Sequence, residues 1–351
     1  MNQPMPFDVS SVTPVQGAPA MSVVIATWRR PQMLQRCLDG LRAQTFDAHR
    51  LELVVADDGP DDATRAVVDG FAAASPGWRV QYVPVRETQG PAAARNRGWR
   101  AATGDIIAFT DDDTIPAPTW LAEGWRVMTT AESVAGAAEN GGPPDAATGA
   151  VRMPLPERPT DYERDASGLT RAEFVTANCF VRRAMLERVG GFDERVRLAW
   201  REDSDLQVRI LDAGGRIVQA PRALMHHPVR PAPWGVSVSQ QRKVFYDALL
   251  YKKHPRLYRT RIRPVPPWHY YGVGAAVVVA VAALAAHLPW VAAAAAVVWL
   301  ALTLRFTAMR LRGTAHTARH VLEMFWTSIA IPPLALYWRL RGAWHFRVWF
   351  L

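Results

Sequence analysis

The sequence predicts an α/β domain followed by a group of apolar helices. Three observations predict it. From Met21 onward, short apolar runs alternate with segments of helical period, the pattern of a parallel sheet with right-handed crossovers. Residues 272–304 carry almost no charge. Nearly all acidic residues lie before Asp247, whereas the last hundred residues are rich in Ala, Val, Trp, Leu and Arg.

The elements follow in order. Residues 22–26, Ser-Val-Val-Ile-Ala, form an apolar run expected to be a buried strand. Pro31 sits where a helix should begin, and Met33, Leu34, Cys37, Leu38 and Leu41 recur at helical spacing. A strand over 51–56, a turn over 57–62, a helix over 63–74 and a strand over 79–85 come next. A helix over 92–102 leads through Thr103-Gly104 into a strand over 105–110. In a parallel sheet, ligands bind beyond the carboxyl ends of the strands. Asp57-Asp58 and Asp111–Asp113 both fall there, on separate strands. Residues 131–169, full of Gly, Pro and polar side chains, read as irregular, a loop over the site. Residues 174–180 are strand-like, 183–189 a short helix stopped by Gly190-Gly191, and 202–213 a helix stopped by Gly214-Gly215. A last strand covers 216–220, before His226-His227.

The formal charge of +9 admits nucleic acid, a membrane surface or an anionic substrate as partner. Much of the excess lies beside the apolar segments, which favours a membrane and argues against nucleic acid. Cys37 and Cys179 lack the spacing of a zinc site or disulfide framework and read as buried thiols in a reducing compartment. The first twenty residues have neither a basic nor an apolar signal region and read as a loose tail.

As one straight helix, residues 272–304 would span about 50 Å, too long for a hydrocarbon layer of about 30 Å. Two helices of about 15–17 residues turning at His287–Trp290 fit better. Residues 321–338 form a third apolar stretch, which Pro332-Pro333 is expected to break. Lys252, Lys253, Arg256, Arg259, Arg261 and Arg263 precede the hairpin, and Arg305, Arg310, Arg312 and Arg319 follow it. Both clusters fit the cytoplasmic side. Basic flanks at both ends make the third stretch an interfacial or re-entrant helix. The expected domains are a tail over 1–20, an α/β domain over 21–230, a basic juxtamembrane linker over 231–268 and a membrane-associated region over 269–351.

The chemistry centres on Asp111-Asp112-Asp113. Three adjacent carboxylates repel; at about 4 Å and an effective dielectric near 20, each pair costs about 4 kcal/mol. A cation reverses that sign, and hard carboxylate oxygens suit Mg²⁺ or Mn²⁺, which also bind phosphate. Taken alone, the triplet fits an exposed acidic turn equally well. Its neighbours shift the balance. The run Gly90-Pro91-Ala92-Ala93-Ala94-Arg95-Asn96-Arg97-Gly98, then 104–113 and Pro118-Thr119-Trp120-Leu121, closely resembles the family 2 glycosyltransferases. Ala26-Thr27-Trp28-Arg29-Arg30-Pro31 resembles that family's Thr-x-Asn-Arg block, and Val54-Val55-Ala56-Asp57-Asp58-Gly59-Pro60 its Val-Asp-Asp-Gly-Ser. Gly190-Gly191-Phe192-Asp193-Glu194 and Glu202-Asp203-Ser204-Asp205-Leu206 resemble its acceptor-side blocks. The resemblance covers 22–230. Arg29 stands where Asn is usual and Pro60 where Ser is usual.

The resemblance implies a GT-A fold, a mixed sheet flanked by helices, and inverting transfer from a UDP- or GDP-linked sugar. It implies that Thr27 and Asp58 line the base pocket with Asp57 beside them, and that Arg30 belongs to the same nucleotide-sugar site. Arg95 would approach the base or the phosphates, Asp111 or Asp112 the ribose, and Asp113 the metal, with Asp111 a further candidate ligand. A His at His226 or His227 would approach the metal or the diphosphate; His227 leads because it directly precedes Pro-Val-Arg. Inversion requires one general base on the acceptor hydroxyl; Asp203 is the first candidate and Glu202 the second. Acidic residues in a first helical turn are otherwise ordinary capping chemistry. Trp200 and Trp234 could stack on a sugar or belong to the core or a membrane-facing surface. The Gln-x-x-Arg-Trp signature of processive synthases is absent, since Gln240-Gln241-Arg242-Lys243 does not match it, and this points to single-sugar addition. The apolar C-terminal region implies a lipid-linked or cell-envelope acceptor at the cell membrane. Two alternatives stand beside this reading: an inactive membrane-bound sugar-nucleotide sensor or scaffold, and a nucleotidyltransferase. The second would carry a Gly-rich phosphate loop, which 27–31 lacks.

Overall fold

The structure is a computed structural model that describes residues 18–87, 89–130 and 142–350. The expected tail therefore lies outside the described residues over 1–17, as do residues 131–141 of the Gly- and Pro-rich middle. The chain divides into two units. One comprises Met1–Val151, Phe174–Arg197 and Arg209–His226; the other comprises Arg152–Glu173, Leu198–Val208 and His227–Leu351.

The strands are β1 Met21–Thr27, β2 Leu51–Asp57, β3 Arg79–Pro84, β4 Ile106–Asp111, β5 Ile115–Pro116, β6 Ala146–Arg152, β7 Cys179–Arg182 and β8 Ile217–His226. The helices up to the last strand are α1 Pro31–Arg42, α2 Asp62–Ala74, α3 Pro91–Ala101, α4 Trp120–Thr129, α5 Asp161–Ala166, α6 Arg183–Val189 and α7 Glu202–Asp212. One sheet holds all eight strands in the order β3-β2-β1-β4-β7-β6-β8-β5. β3, β2, β1 and β4 are parallel, as the alternation of strands and helices predicts. Val23, Val24 and Ile25 are wholly buried, as expected of a run in a sheet covered on both faces. The parallel half ends at β4: β7 runs antiparallel to β4 and to β6, and β5 antiparallel to β8. The sheet is thus mixed.

Local chemistry explains the elements. Pro31 and Pro91 each open a helix at a position that needs no amide donor. Leu34, Cys37, Leu38 and Leu41 form the buried stripe of α1. α3 lies close on the sheet because residue 98 is glycine; a Cβ there would come within 2.5 Å of Val24 Cγ1 and 3.4 Å of Ala56 Cβ.

Three readings need correction. The stretch 131–169 is not wholly irregular, since it contains β6 and α5, the latter closed by a capping box between Thr160 and Glu163. The strand expected over 174–180 is displaced to β7, because a turn joins Val175 O to Asn178 N at 3.2 Å. That turn buries the Asn178 amide, which donates to Ala150 O and Ala223 O, both at 2.8 Å, and accepts from Trp120 Nε1 at 2.7 Å. β8 continues through Pro221 to His226. Its partner β5 pairs with Met225 and His226, and Ala117 N donates to Leu224 O at 3.0 Å. Among the described residues the pairing with β5 does not extend back to Pro221, the setting in which a strand tolerates proline.

The second unit contains α5 and the helices α8 Val236–Ser239, α9 Val244–Lys253, α10 Pro255–Leu257, α11 Trp268–Ala285, α12 Pro289–Leu311 and α13 Ala318–His345. α11, α12 and α13 are each long and apolar enough to cross a membrane. The hairpin α11–α12 turns at residues 286–288 rather than at His287–Trp290, and its helices of 18 and 23 residues are longer than the expected 15–17. It carries exposed Val278, Val281, Leu284, Trp290 and Val297. The expected break at Pro332-Pro333 does not occur. α13 is one helix of 28 residues, about 42 Å long. Met324, Ser328, Ile331, Ala335, Arg339 and Gly342 are all buried along it at steps of three and four residues. That packed seam outweighs the amide bonds that two prolines forfeit.

Candidate active site

The carboxyl ends of β1, β2 and β4 bring the N-terminal motifs together, because the parallel register aligns Thr27 with Asp57 and Ala26 with Asp111. The turn after β4 is fastened from below. Thr114 donates through its amide (3.3 Å) and its hydroxyl (2.8 Å) to Asp111 O, and its hydroxyl meets that of Thr110 at 2.7 Å. Cys37 packs beneath with Sγ 3.6 Å from Asp111 O; burial, reinforced by the three carboxylates, holds its thiol far above the usual range. Cys37 is therefore an inert wall, and Cys179 is likewise buried.

Each carboxylate of the triplet has a different setting. Asp112 is 1% exposed; its Oδ2 accepts from the Thr27 hydroxyl at 2.7 Å and lies 3.2 Å from Arg30 Nε. Its Oδ1 is buried without a hydrogen-bond partner. Burial raises the Asp112 carboxyl to about 6, with Asp113 and Asp111 adding to the rise while Arg30 and Thr27 oppose it. Asp111 pairs with Arg95, Nη2 to Oδ1 at 2.7 Å. Asp113 lies 3.9 Å from Arg30 Nη1. Asp111 and Asp113 each offer a carboxylate oxygen within 4.8 Å of the other. This paired set of hard oxygens fits a small divalent cation.

Asp57 and Asp58 differ as well. Asp57 is fully buried and spends both oxygens within the fold, accepting from Gly59 N at 3.0 Å and from the Tyr82 hydroxyl at 2.8 Å. Asp58 is half-buried and accepts from Gly90 N, at the start of α3, through both oxygens at 3.0 and 2.9 Å. Burial raises its carboxyl above the usual range, and the Gly90 bond opposes the rise.

Trp28 is a member of this site that the motif reading passed over. Its indole is 54% exposed and lies on Gly59, where a Cβ would come within 2.6 Å of Trp28 Cδ1. The sequence signal was there: a large aromatic beside a motif threonine, opposite a glycine. Arg29, in the place where Asn is usual, has φ 51°. Asn enters that left-handed region more readily than most residues, so Arg29 holds it at some cost.

The Gly-Gly-Phe-Asp-Glu block serves α3. Asn96 Oδ1 accepts from Phe192 N at 2.8 Å and its Nδ2 donates to Phe192 O at 2.9 Å and Glu194 Oε1 at 2.8 Å. Phe192 meets Phe109 edge-on at 5.2 Å and lies 5.8 Å from the Arg95 guanidinium. These contacts hold the arginine that pairs with Asp111.

In the second unit, three acidic residues start α7, and their surroundings tell them apart. Glu202 is 3% exposed and accepts from Trp200 N at 2.6 Å. Asp205, also buried, pairs with Lys253 and with His254 Nε2, the latter at 3.0 Å. Asp203 is partly exposed and accepts from Ser204 N at 2.6 Å. Of the three it presents the most accessible carboxylate. The segment before α7 is held by Asp247 of α9, which accepts from Trp200 Nε1 at 2.9 Å and lies 3.2 Å from Arg201 Nε. Trp200 is therefore a fastening residue, a role not apparent from its place in the chain. His226 closes β8 and pairs with Ile115, two residues beyond Asp113. His227 follows it directly, and its amide donates to Arg152 O at 2.8 Å.

A family model described as glycosyl transferase family 2 matches residues 22–190. Glycosyltransferase AglE of Haloferax volcanii is 30% identical over 214 residues, 61% of this chain and 68% of AglE. Succinoglycan biosynthesis protein ExoM of Rhizobium meliloti is 29% identical over 213 residues, 60% of this chain and 67% of ExoM. Among solved structures, the mannosyltransferase PcManGT from Pyrobaculum calidifontis, in complex with GDP-Man and Mn²⁺, matches with a TM-score of 0.55 at 20% identity. The match covers 97% of this chain and 91% of that one, and it is a likeness of fold.

Proposed function

Because the chain belongs to glycosyl transferase family 2, we propose that it transfers a single sugar, with inversion, from a UDP- or GDP-linked donor to a lipid-linked or cell-envelope acceptor at a membrane. It is a glycosyltransferase with the mixed sheet of GT-A enzymes and a sugar-nucleotide donor. The observation that carries the finer reading is the meeting of Thr27, Arg30, Arg95 and the Asp111–Asp113 turn at the ends of adjacent parallel strands.

In this reading Thr27, Arg30, Asp57 and Asp58 shape the nucleotide pocket, and the exposed face of Trp28 is the surface on which a base stacks. Asp57, with both oxygens engaged, shapes the pocket by holding the turn. Arg95 pairs with Asp111 and Arg30 with Asp112, and these contacts aim the two carboxylates. Asp111 and Asp113 would hold Mn²⁺ or Mg²⁺, with His227 the first-choice and His226 the second-choice imidazole; oxygen and nitrogen donors of this kind fit either ion. Such an ion, when bound, neutralises charge on the departing nucleoside diphosphate. PcManGT, of like fold, is in complex with GDP-Man and Mn²⁺, which supports this choice. Asp203 takes the proton of the acceptor hydroxyl, while Glu202 braces the start of α7.

The transferase domain of the proposal spans 21–230, facing the cytoplasm, with the apolar helices as its membrane attachment. Three helices of spanning length, with apolar side chains exposed on α11 and α12, support the attachment. A hydrolysis screen of nucleotide-sugars with the purified full chain and Mn²⁺ tests the activity. Turnover of one UDP- or GDP-sugar, lost on chelation, is expected; no binding or turnover of any nucleotide-sugar would overturn it.

A further inference from the structure

The second unit holds a partly open cavity of about 60 Å³ whose polar lining residues are Gln241, Asp247, Arg263, Tyr270 and Arg339, beside Val244, Pro267 and Ala335. From this cavity we infer a binding site for the phosphate group of a membrane lipid. Arg339 carries the argument. It is 2% exposed on the packed seam of α13, its guanidinium stacks 3.7 Å from the Phe350 ring centroid, and its Nε and Nη2 are buried without hydrogen-bond partners. A buried guanidinium with idle N–H groups calls for an acceptor.

Asp247 is the only carboxylate among the residues named on that wall, and it is already engaged. It accepts from Trp200 Nε1 at 2.9 Å and from the Tyr258 hydroxyl at 3.1 Å, and it pairs with Arg201 at 3.2 Å. With Asp247 offset by Arg201, Arg263 and Arg339 give the wall a positive balance, and Gln241 and Tyr270 add neutral donors. The volume is room for about four waters, or for one phosphate group.

The position selects the source. Tyr270 lies in the first turn of α11 and Pro267 immediately before it, so the cavity sits at the end of an apolar helix. Lipid phosphates occupy that level of a bilayer, and basic pockets between spanning helices bind them. This site depends on membrane attachment but not on sugar transfer, and its test uses no nucleotide-sugar.

The full chain in neutral detergent is titrated with dioctanoyl phosphatidic acid, dioctanoyl phosphatidylcholine and inorganic phosphate, with retention read by native mass spectrometry. One phosphatidic acid should be retained in preference to phosphatidylcholine, and Arg339→Gln should weaken that retention at least about ten-fold. Exposed Arg263→Gln should weaken it by a smaller factor and serves as the readout if Arg339→Gln fails to fold. Inorganic phosphate competing with the same arginine dependence would support a phosphate site filled from solution. Equal retention of both lipids, or retention indifferent to both substitutions, would overturn the assignment.

Discussion

Replacing Thr27 by Val keeps the shape of the side chain and removes one hydroxyl. In the wild-type chain that hydroxyl donates to Asp112 Oδ2 at 2.7 Å, with Thr27 2% and Asp112 1% exposed. Water cannot replace the lost donor, and Asp112 Oδ1 already has no partner. A hydrogen bond to a charged group in such a setting contributes about 1.5–3 kcal/mol. For a unit of this size, that corresponds to a fall in Tm of roughly 3–12 °C. The assay is differential scanning fluorimetry of the full chain in detergent, with Thr27→Ser as the control that keeps the donor. Thr27→Val should melt lower than Thr27→Ser, and much of the loss should vanish in the background of Asp112→Asn, whose side chain carries no charge to support. The same substitution should weaken nucleoside diphosphate binding, because Asp112 anchors the turn that presents Asp111 and Asp113. Equal melting of the Val and Ser variants, or strictly additive losses in the double variant, would refute the claim that this bond holds the turn.

Other outcomes follow from the same geometry. Asp113→Ala should abolish the Mn²⁺ dependence of nucleotide binding measured by calorimetry, whereas affinity that still rises with Mn²⁺ would remove Asp113 from the ligand set. Asp203→Asn should bind nucleotide-sugar like the wild type and show no transfer; full turnover in that variant would reassign the base. Gly98→Ala should destabilise the chain by about 1–2 kcal/mol, since a Cβ 2.5 Å from Val24 Cγ1 overpacks a buried strand and outweighs the gain in helix propensity. A melting temperature at or above wild type would show that α3 can lift from the sheet without penalty.

How much was readable in the chain varied with the range of the interaction. β1, β2 and α1 to α3 followed from local pattern, because apolar periodicity and the prolines at Pro31 and Pro91 are short-range signals. The Asp111–Asp113 turn was placed at the end of a buried strand on the same grounds. The shift of β7 was not legible, since it depends on Asn178 reaching Ala150, Ala223 and Trp120 across the unit. Likewise, Pro332-Pro333 reads as a break until the six-residue seam along α13 is seen.

The sequence by itself determined the class of fold, the order of the motif blocks and the strand ends at which Thr27, Asp58 and Asp111–Asp113 fall. These depend on periodicity of two and 3.6 residues and on turn chemistry, which a chain carries in its local order. Only the tertiary structure decided which carboxylate does what. Asp57 became a turn brace, Asp112 a buried anchor beside Thr27 and Arg30, Glu202 and Asp205 fastened members of α7, and Asp203 the accessible one. Chemically, four of these five are the same aspartate and the fifth is one methylene longer; they differ in burial and in partners brought from distant parts of the chain. Those two quantities set the charge and reach of a carboxylate, and neither is written in its neighbours along the sequence.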